Sequence, residues 1–303
     1  SRRLASSAAG SMRPIWWEEM GGGTMKGYAN ANGIKLHYLD YGGAEPTLLL
    51  AHGLTANAHS FEGLVAALDG SMRVIAVDLR GRGLSDKPAS GYSLEDHARD
   101  MLGLLDELGL YQVVVAGHSY GGALAYVLAA EYPERITACI AIDAPAAPDP
   151  GILDQIQPVL DRLEVTFPSM EAYLEHVQSM PWFDGRWNDQ LDVFYRTDVQ
   201  QLPDGSVQSR ARPAAIRQSI IGLLEVDLAA LVASIAVPTL LIRAMEPLLP
   251  GAPLLFPKEE AESALESLRD GRLIEIKGHH YDVVLGRAAT ETAAAIRRFV
   301  AAG

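Results

Sequence analysis

Residues 117–122 read Gly117-His118-Ser119-Tyr120-Gly121-Gly122, a serine with glycine two places before it and two places after it. A short apolar run, 112–118, ends at this serine, and a helical pattern, 119–132, starts there. The spacing G-x-S-x-G between a strand and a helix is that of a nucleophile carried on a strained turn. Side chains at the flanking positions would strike the strand or the helix, which is why glycines are required. The helix start behind the serine offers N–H groups and a positive dipole end to developing negative charge. A helix-capping serine needs none of these glycines, so Ser119 is read as a nucleophile.

A second signal, His52-Gly53-Leu54, stands at the end of an earlier apolar run. Serine attack on a carbonyl creates an oxyanion that needs two preorganised donors, each worth about 3–4 kcal/mol. The backbone N–H of Tyr120, directly after the nucleophile, supplies one, and that of Leu54 supplies the other. The base must be an imidazole whose second ring nitrogen meets a carboxylate.

The elements that would position these groups are legible. "GYANANGIKLHYLDYGG" reads as two strands around an Asn32-Gly33 turn. Apolar runs at 46–52, 72–78, 112–118, 136–143, 237–244 and 271–278 read as strands buried on both faces. Helical patterns at 57–68, 93–108 and 119–132 alternate with the first of them, and further helices are expected near 258–269 and 287–302. Such alternation implies parallel pairing with right-handed crossovers. It stops in the proline-rich stretch 144–152, and an aromatic-rich region follows, ending in a small hairpin at Asp204-Gly205. The expected division is an N-terminal extension at 1–24, flexible or foreign to the natural chain, a core at 25–146 and 213–303, and a lid inserted at 147–212.

Composition narrows the function classes. The 303 residues are 49% hydrophobic, enough for a large core, and the formal charge of −13 repels nucleic acid. Cys139 is alone, so it has no intrachain disulfide partner and no second sulfur for a metal; it reads as a core residue in a reducing, cytoplasmic setting. No apolar run reaches the 18 residues of a membrane span. Gly81-Arg82-Gly83 opens like a dinucleotide loop, but Asp86 stands where the third glycine belongs, so no cofactor is assigned.

Together, "AHGLT" (51–55), "VDLRGRGLSD" (77–86), "GHSYGG" (117–122), "YPERI" (132–136), "VPTLLIR" (237–243) and "KGHHYDVV" (277–284) make the chain resemble the α/β-hydrolase superfamily. The resemblance covers nearly all of 26–303 outside the lid. It implies an α/β fold, an eight-stranded, mostly parallel sheet with helices on both faces, and a Ser–acid–His triad. In that order the base follows the last strand. Similarity to "NHY" segments selects His280, leaving His279 to support the turn. The acid has two candidates. Many relatives carry an Asp before a proline after the strand matching 237–243, but here that loop reads "AMEPLLPGAP", and only Glu246 precedes a proline. Other branches place the acid at the end of the preceding core strand, where this chain has Asp143. The missing later Asp favours Asp143, with Glu246 as the alternative.

The remaining histidines are read as structural, with His118 behind the turn, His37 on a strand, and His59, His97 and His176 on helix or lid surfaces. Within the lid, Trp182, Phe183 and Trp187, with His52 below them, are candidate walls of an apolar pocket. Arg186 and Arg196 read as solvated cations that could also hold a substrate carboxylate. The resulting expectation is a metal-free, cofactor-free hydrolase of small carboxylic esters working through an acyl-enzyme. The alternatives are amide, lactone or C–C bond cleavage in a degradation pathway, a peracid-forming peroxidase, or a ligand receptor that retains the fold. Oligomeric state is not read from the sequence.

Overall fold

The computed structural model describes residues 18–19, 23–147, 149, 151 and 157–302. Most of the 1–24 extension therefore lies outside the described residues, but Glu18–Glu19 (β1) pairs antiparallel with the next strand. The main sheet is built from Met25–Ala31 (β2), Ile34–Asp40 (β3), Thr47–Ala51 (β4), Arg73–Val77 (β5), Val113–His118 (β6) and Ile136–Ile142 (β7). It is completed by two late strands, Thr239–Ala244 (β11) and Gly271–Ile276 (β12). Its order is β1-β2-β3-β5-β4-β6-β7-β11-β12. From β5 through β12 every neighbouring pair is parallel, while β2 and β3 enter antiparallel. This is the eight-stranded α/β sheet expected, with β1 added on the open edge of β2.

The local chemistry explains the elements. Asn32 and Gly33 both hold positive φ, +48° and +77°, as a two-residue hairpin of this hand requires. Strand β4 is buried along its whole length because helices cover both faces of the sheet. Leu94–Glu107 (α2) and Tyr120–Glu131 (α3) pack on one face with Leu228–Ser234 (α8). Glu62–Leu68 (α1), Asp282–Leu285 (α10) and Ala289–Ala301 (α11) pack on the other. Ser93 starts α2 with a reciprocal capping box to Asp96.

Between β7 and β11 lie Gln157–Glu164 (α4), Thr166–Phe167 (β8), Met170–Gln178 (α5), Asp189–Asp198 (α6), Val199–Gln201 (β9) and Val207–Ser209 (β10). The three short strands form a separate antiparallel sheet, with the Asp204-Gly205 turn joining β9 to β10. Phe183 sits against Trp187, Tyr195 and the Tyr281 ring of the core. Pro213–Leu224 (α7) and α8 then lead back to the sheet, and Lys258–Ser267 (α9) connects β11 to β12. Helices α7 and α8 have no counterpart in the sequence reading. For α7 the signal is Pro213 at the first helical position and the spacing of Ile216, Ile220 and Leu223.

Candidate active site

Ser119 sits between β6 and α3 at φ 55° and ψ −120°, a strained conformation for a residue with a side chain. Its N–H donates to Ile142 C=O at 2.9 Å, and its own C=O accepts from Gly122 N–H at 2.8 Å, so backbone on both sides fixes the turn. The glycines are steric requirements. A Cβ on Gly117 would stand 1.8 Å from Gly121 O, and one on Gly121 would stand 2.0 Å from Ala51 O. One on Gly122 would meet the Ala144 methyl at 2.2 Å.

His280 follows β12, and its Nδ1 lies 2.7 Å from Asp143 Oδ2. Asp143 closes β7 at φ 46°, and its other oxygen accepts the Ala244 N–H at 3.0 Å. That leaves one carboxylate oxygen for the imidazole. Glu246 instead faces Arg186 at 3.3 Å, and Arg186 also pairs with Asp282. Of the two candidate acids, therefore, Asp143 meets His280 and Glu246 does not. The His280 ring lies 4.2 Å, centroid to centroid, from the ring of His118, the residue before Ser119. His118 Nε2–H donates to His280 C=O at 2.9 Å, and burial holds its pKa well below the ordinary histidine value. A neutral His118 thus carries the His280 loop against the serine turn. His279 caps that loop. Its Nδ1 accepts from Tyr281 N–H and Asp282 N–H, and its Nε2–H donates to Trp182 C=O.

The Leu54 loop approaches from the other side. A Cβ on Gly53 would lie 3.6 Å from Ser119 Cβ, so the loop touches the turn. The expectation that His52 lines a pocket does not hold, because His52 is fully buried with both ring nitrogens engaged. Nδ1–H donates to Gly53 C=O at 2.7 Å, and Nε2 accepts Leu79 N–H at 3.0 Å. Burial lowers its pKa to about 4, so His52 is a neutral brace for the loop. Phe183 is likewise buried in the aromatic cluster rather than facing a pocket, while Trp182 and Trp187 are half-buried. Arg196 pairs with Asp192 on its own helix.

Two residues behind the Leu54 loop have places that the sequence analysis does not assign them. Arg82 is fully buried and, among the described residues, has no carboxylate partner. Its Nε–H donates to Leu54 C=O at 2.9 Å, one terminal nitrogen donates to Arg80 C=O and the other to Ser219 Oγ. The guanidinium carbon lies 5.7 Å from the Tyr120 ring centre. Burial brings its pKa down to about 10, which still leaves it charged at neutral pH. His97 was expected on a surface but is fully buried near Ser219 and the Tyr120 ring, and burial keeps it neutral. It belongs to the buried stripe Leu94, His97, Ala98, Met101 of α2, a spacing visible in the sequence. The "RGRGLSD" loop is pinned to the core through Asp78, whose carboxylate accepts the Leu84 N–H and whose carbonyl accepts the Ser85 hydroxyl. Asp78 accepts from Ala58 N–H, Leu84 N–H and the His37 ring, and burial alone would raise its pKa, yet these partners hold it far below the usual carboxylate range.

Among the described residues, no three His, Cys, Asp or Glu side chains gather as a metal-binding group, and no helix is long and apolar enough to cross a membrane. The arrangement that remains is a serine on a strained turn, an imidazole held by a carboxylate, and the Leu54 loop lying against the serine turn. Such a set is suited to acyl transfer.

A model of the alpha/beta hydrolase fold matches residues 46–246. The 2-(acetamidomethylene)succinate hydrolase of Mesorhizobium japonicum is 32% identical over 208 residues, which is 66% of this chain and 71% of that protein. A crystal structure of E-2-(acetamidomethylene)succinate hydrolase superposes with a TM-score of 0.80 at 26% identity, covering 92% of this chain and 99% of that one. The enol-lactonase from Burkholderia xenovorans LB400 superposes with a TM-score of 0.67 at 23% identity over 90% of this chain and 99% of that one, a likeness of fold alone.

Proposed function

The chain belongs to the alpha/beta hydrolase family, and on that premise we propose that it is a serine hydrolase that cleaves the amide bond of a small acylated metabolite through an acyl-Ser119 intermediate. The observation that carries the chemistry is the 2.7 Å contact between His280 and Asp143 beside the Ser119 turn. His280 Nε2 takes the Ser119 proton as Oγ attacks the carbonyl, while Asp143 holds the opposite nitrogen and stabilises the imidazolium. The N–H groups of Leu54 and Tyr120 receive the oxyanion. The imidazolium then protonates the departing nitrogen, and a water activated by His280 frees the acid.

The ester expected from the residues alone gives way here to the amide among its alternatives. The support is the 32% identity to a protein named for an acetamido-bearing succinate, over two thirds of this chain. The described residues of the 147–212 insertion serve as the cap of this site. The Trp182 carbonyl bonded to His279, together with the Phe183–Tyr281 ring contact, ties that segment to the base loop.

A substrate panel tests the reading. N-acyl enamines carrying one or two carboxylates are compared with neutral esters and lactones of equal acyl length, with Ser119→Ala as blank. Amide turnover should exceed ester turnover in kcat/KM, and Ser119→Ala should lower both by at least 10³. An ester or lactone preference of tenfold or more overturns the amide assignment. Retained activity in Ser119→Ala overturns the nucleophile.

A further inference from the structure

We propose that the cleft between the 81–88 loop and residues 200–214 is an anion-binding site for a doubly charged tetrahedral group, the phosphate of a small organic monoester. The cleft has a volume of about 440 Å³, and its walls include Lys87, Arg210 and Arg212 against a single carboxylate, Glu164. This concentration of positive charge occurs in a chain whose formal charge is −13.

These cations feel nearby carboxylates, Asp198 for Arg210 and Asp78 and Asp86 for Lys87, but among the described residues none of the three pairs with one. Arg73, Arg135, Arg162 and Arg243 each face a carboxylate. Among the described residues, Arg210 and Arg212 make no ion pair and no side-chain hydrogen bond. Lys87 is fixed in place, its ammonium donating to Gly83 C=O and Ser85 C=O at 2.9 Å each, which leaves one N–H for a ligand. Burial lowers its pKa; Asp78 opposes that, and the charges of Arg210 and Arg212 add to it, so the three cations feel one another across the cleft. Helix α7 also starts on this wall. Arg212 is its N-cap without a side-chain cap, Pro213 is its first residue, and the next N–H groups meet no capping oxygen.

Three separate cations and a helix start suit a dianion with oxygens pointing in several directions. A single planar carboxylate would be satisfied by one bidentate arginine. Smaller cavities of about 260 and 170 Å³ adjoin on both sides, one sharing Lys87 and Arg212, the other sharing Gly83 and Arg210. The cations thus sit at the middle of a groove, with room beyond the phosphate for an organic group. The lining of the cleft contains none of Ser119, His280 and Asp143, and its Leu163 and Ala211 belong to the apolar cluster on which Leu54 packs. The proposal goes beyond the acyl-transfer reading and does not rest on it.

Calorimetric titration of the full chain at low ionic strength, with phenyl phosphate, inorganic phosphate and malonate, tests it. Phenyl phosphate should bind saturably at one site, at least tenfold more tightly than malonate, with affinity falling as salt rises. Arg210→Gln with Arg212→Gln should weaken it at least tenfold, and Arg212→Gln alone about threefold, with unchanged melting temperature and unchanged hydrolysis of a neutral p-nitrophenyl ester. Inorganic phosphate binding as well as phenyl phosphate would keep the site and make the free ion its ligand. Absence of saturable binding, equal affinity for malonate, or indifference to the substitutions overturns the site.

Discussion

At the scale of single residues, His280 meets Asp143 because β7 ends in a left-handed turn at that residue, aiming its carboxylate across the sheet edge. Exchanging it for an amide keeps the Ala244 contact but removes the charge that stabilises the imidazolium. Asp143→Asn should lower kcat by about 10³–10⁴ with an intact fold, whereas Glu246→Gln, at the Arg186 pair, should stay within about threefold. Steady-state rates on the best panel substrate check both, and equal losses would contradict the geometry. Arg82 acts through Leu54 and is a positioning residue. Arg82→Met releases the Leu54 carbonyl and should lower kcat about tenfold with KM little changed. A rise in KM alone would place Arg82 in ground-state binding instead.

At the scale of elements, the β6–turn–α3 unit is set by close packing. Gly117→Ala drives a methyl into the backbone of Gly121, and no rotamer relieves that overlap. This variant should melt at least 10 °C lower or fail to fold. Gly185→Ala, where a Cβ meets nothing within 4 Å despite φ +64°, should cost only about 1 kcal/mol. Circular dichroism melts separate the two. The strands were legible because each is a short apolar run covered on both sides, and the hairpin because Asn-Gly accepts the dihedrals that its turn needs. Helices α7 and α8 fall in the stretch between the expected lid and the strand at 237–244, for which the sequence analysis assigns no element, although α7 carries a helical apolar spacing.

At the scale of the whole molecule, buried histidines couple folding to pH. His52, His97 and His118 are held neutral by burial, with folded pKa values below their unfolded ones. Each therefore contributes stability that is present above about pH 6.5 and is lost as pH falls through its folded pKa. For His52, from 6.5 to about 4, this amounts to about 3 kcal/mol. Asp100 and Asp198, raised by burial, act oppositely, their contribution being fullest at low pH and lost as pH rises. Chemical denaturation between about pH 6.5 and 4 should show stability falling toward acid by about 1.4 kcal/mol per pH unit for each histidine that is protonated in the unfolded chain while still neutral in the folded one, less the opposing contribution of the aspartates. A flat profile would mean that the histidines are not held neutral in the folded protein.

The sequence by itself determined the parallel sheet, the Asn-Gly hairpin and the serine at its strained turn, because each is a local pattern whose sterics act within a few residues. It also supplied the candidates for base and acid. Only the tertiary structure decided that Asp143 rather than Glu246 meets His280, that His52 braces a loop and lines no pocket, and that Arg82 holds the Leu54 carbonyl. These are distances between groups up to 137 residues apart in the chain, and no spacing rule reports them. They follow from which strand ends lie side by side once the sheet has closed its order.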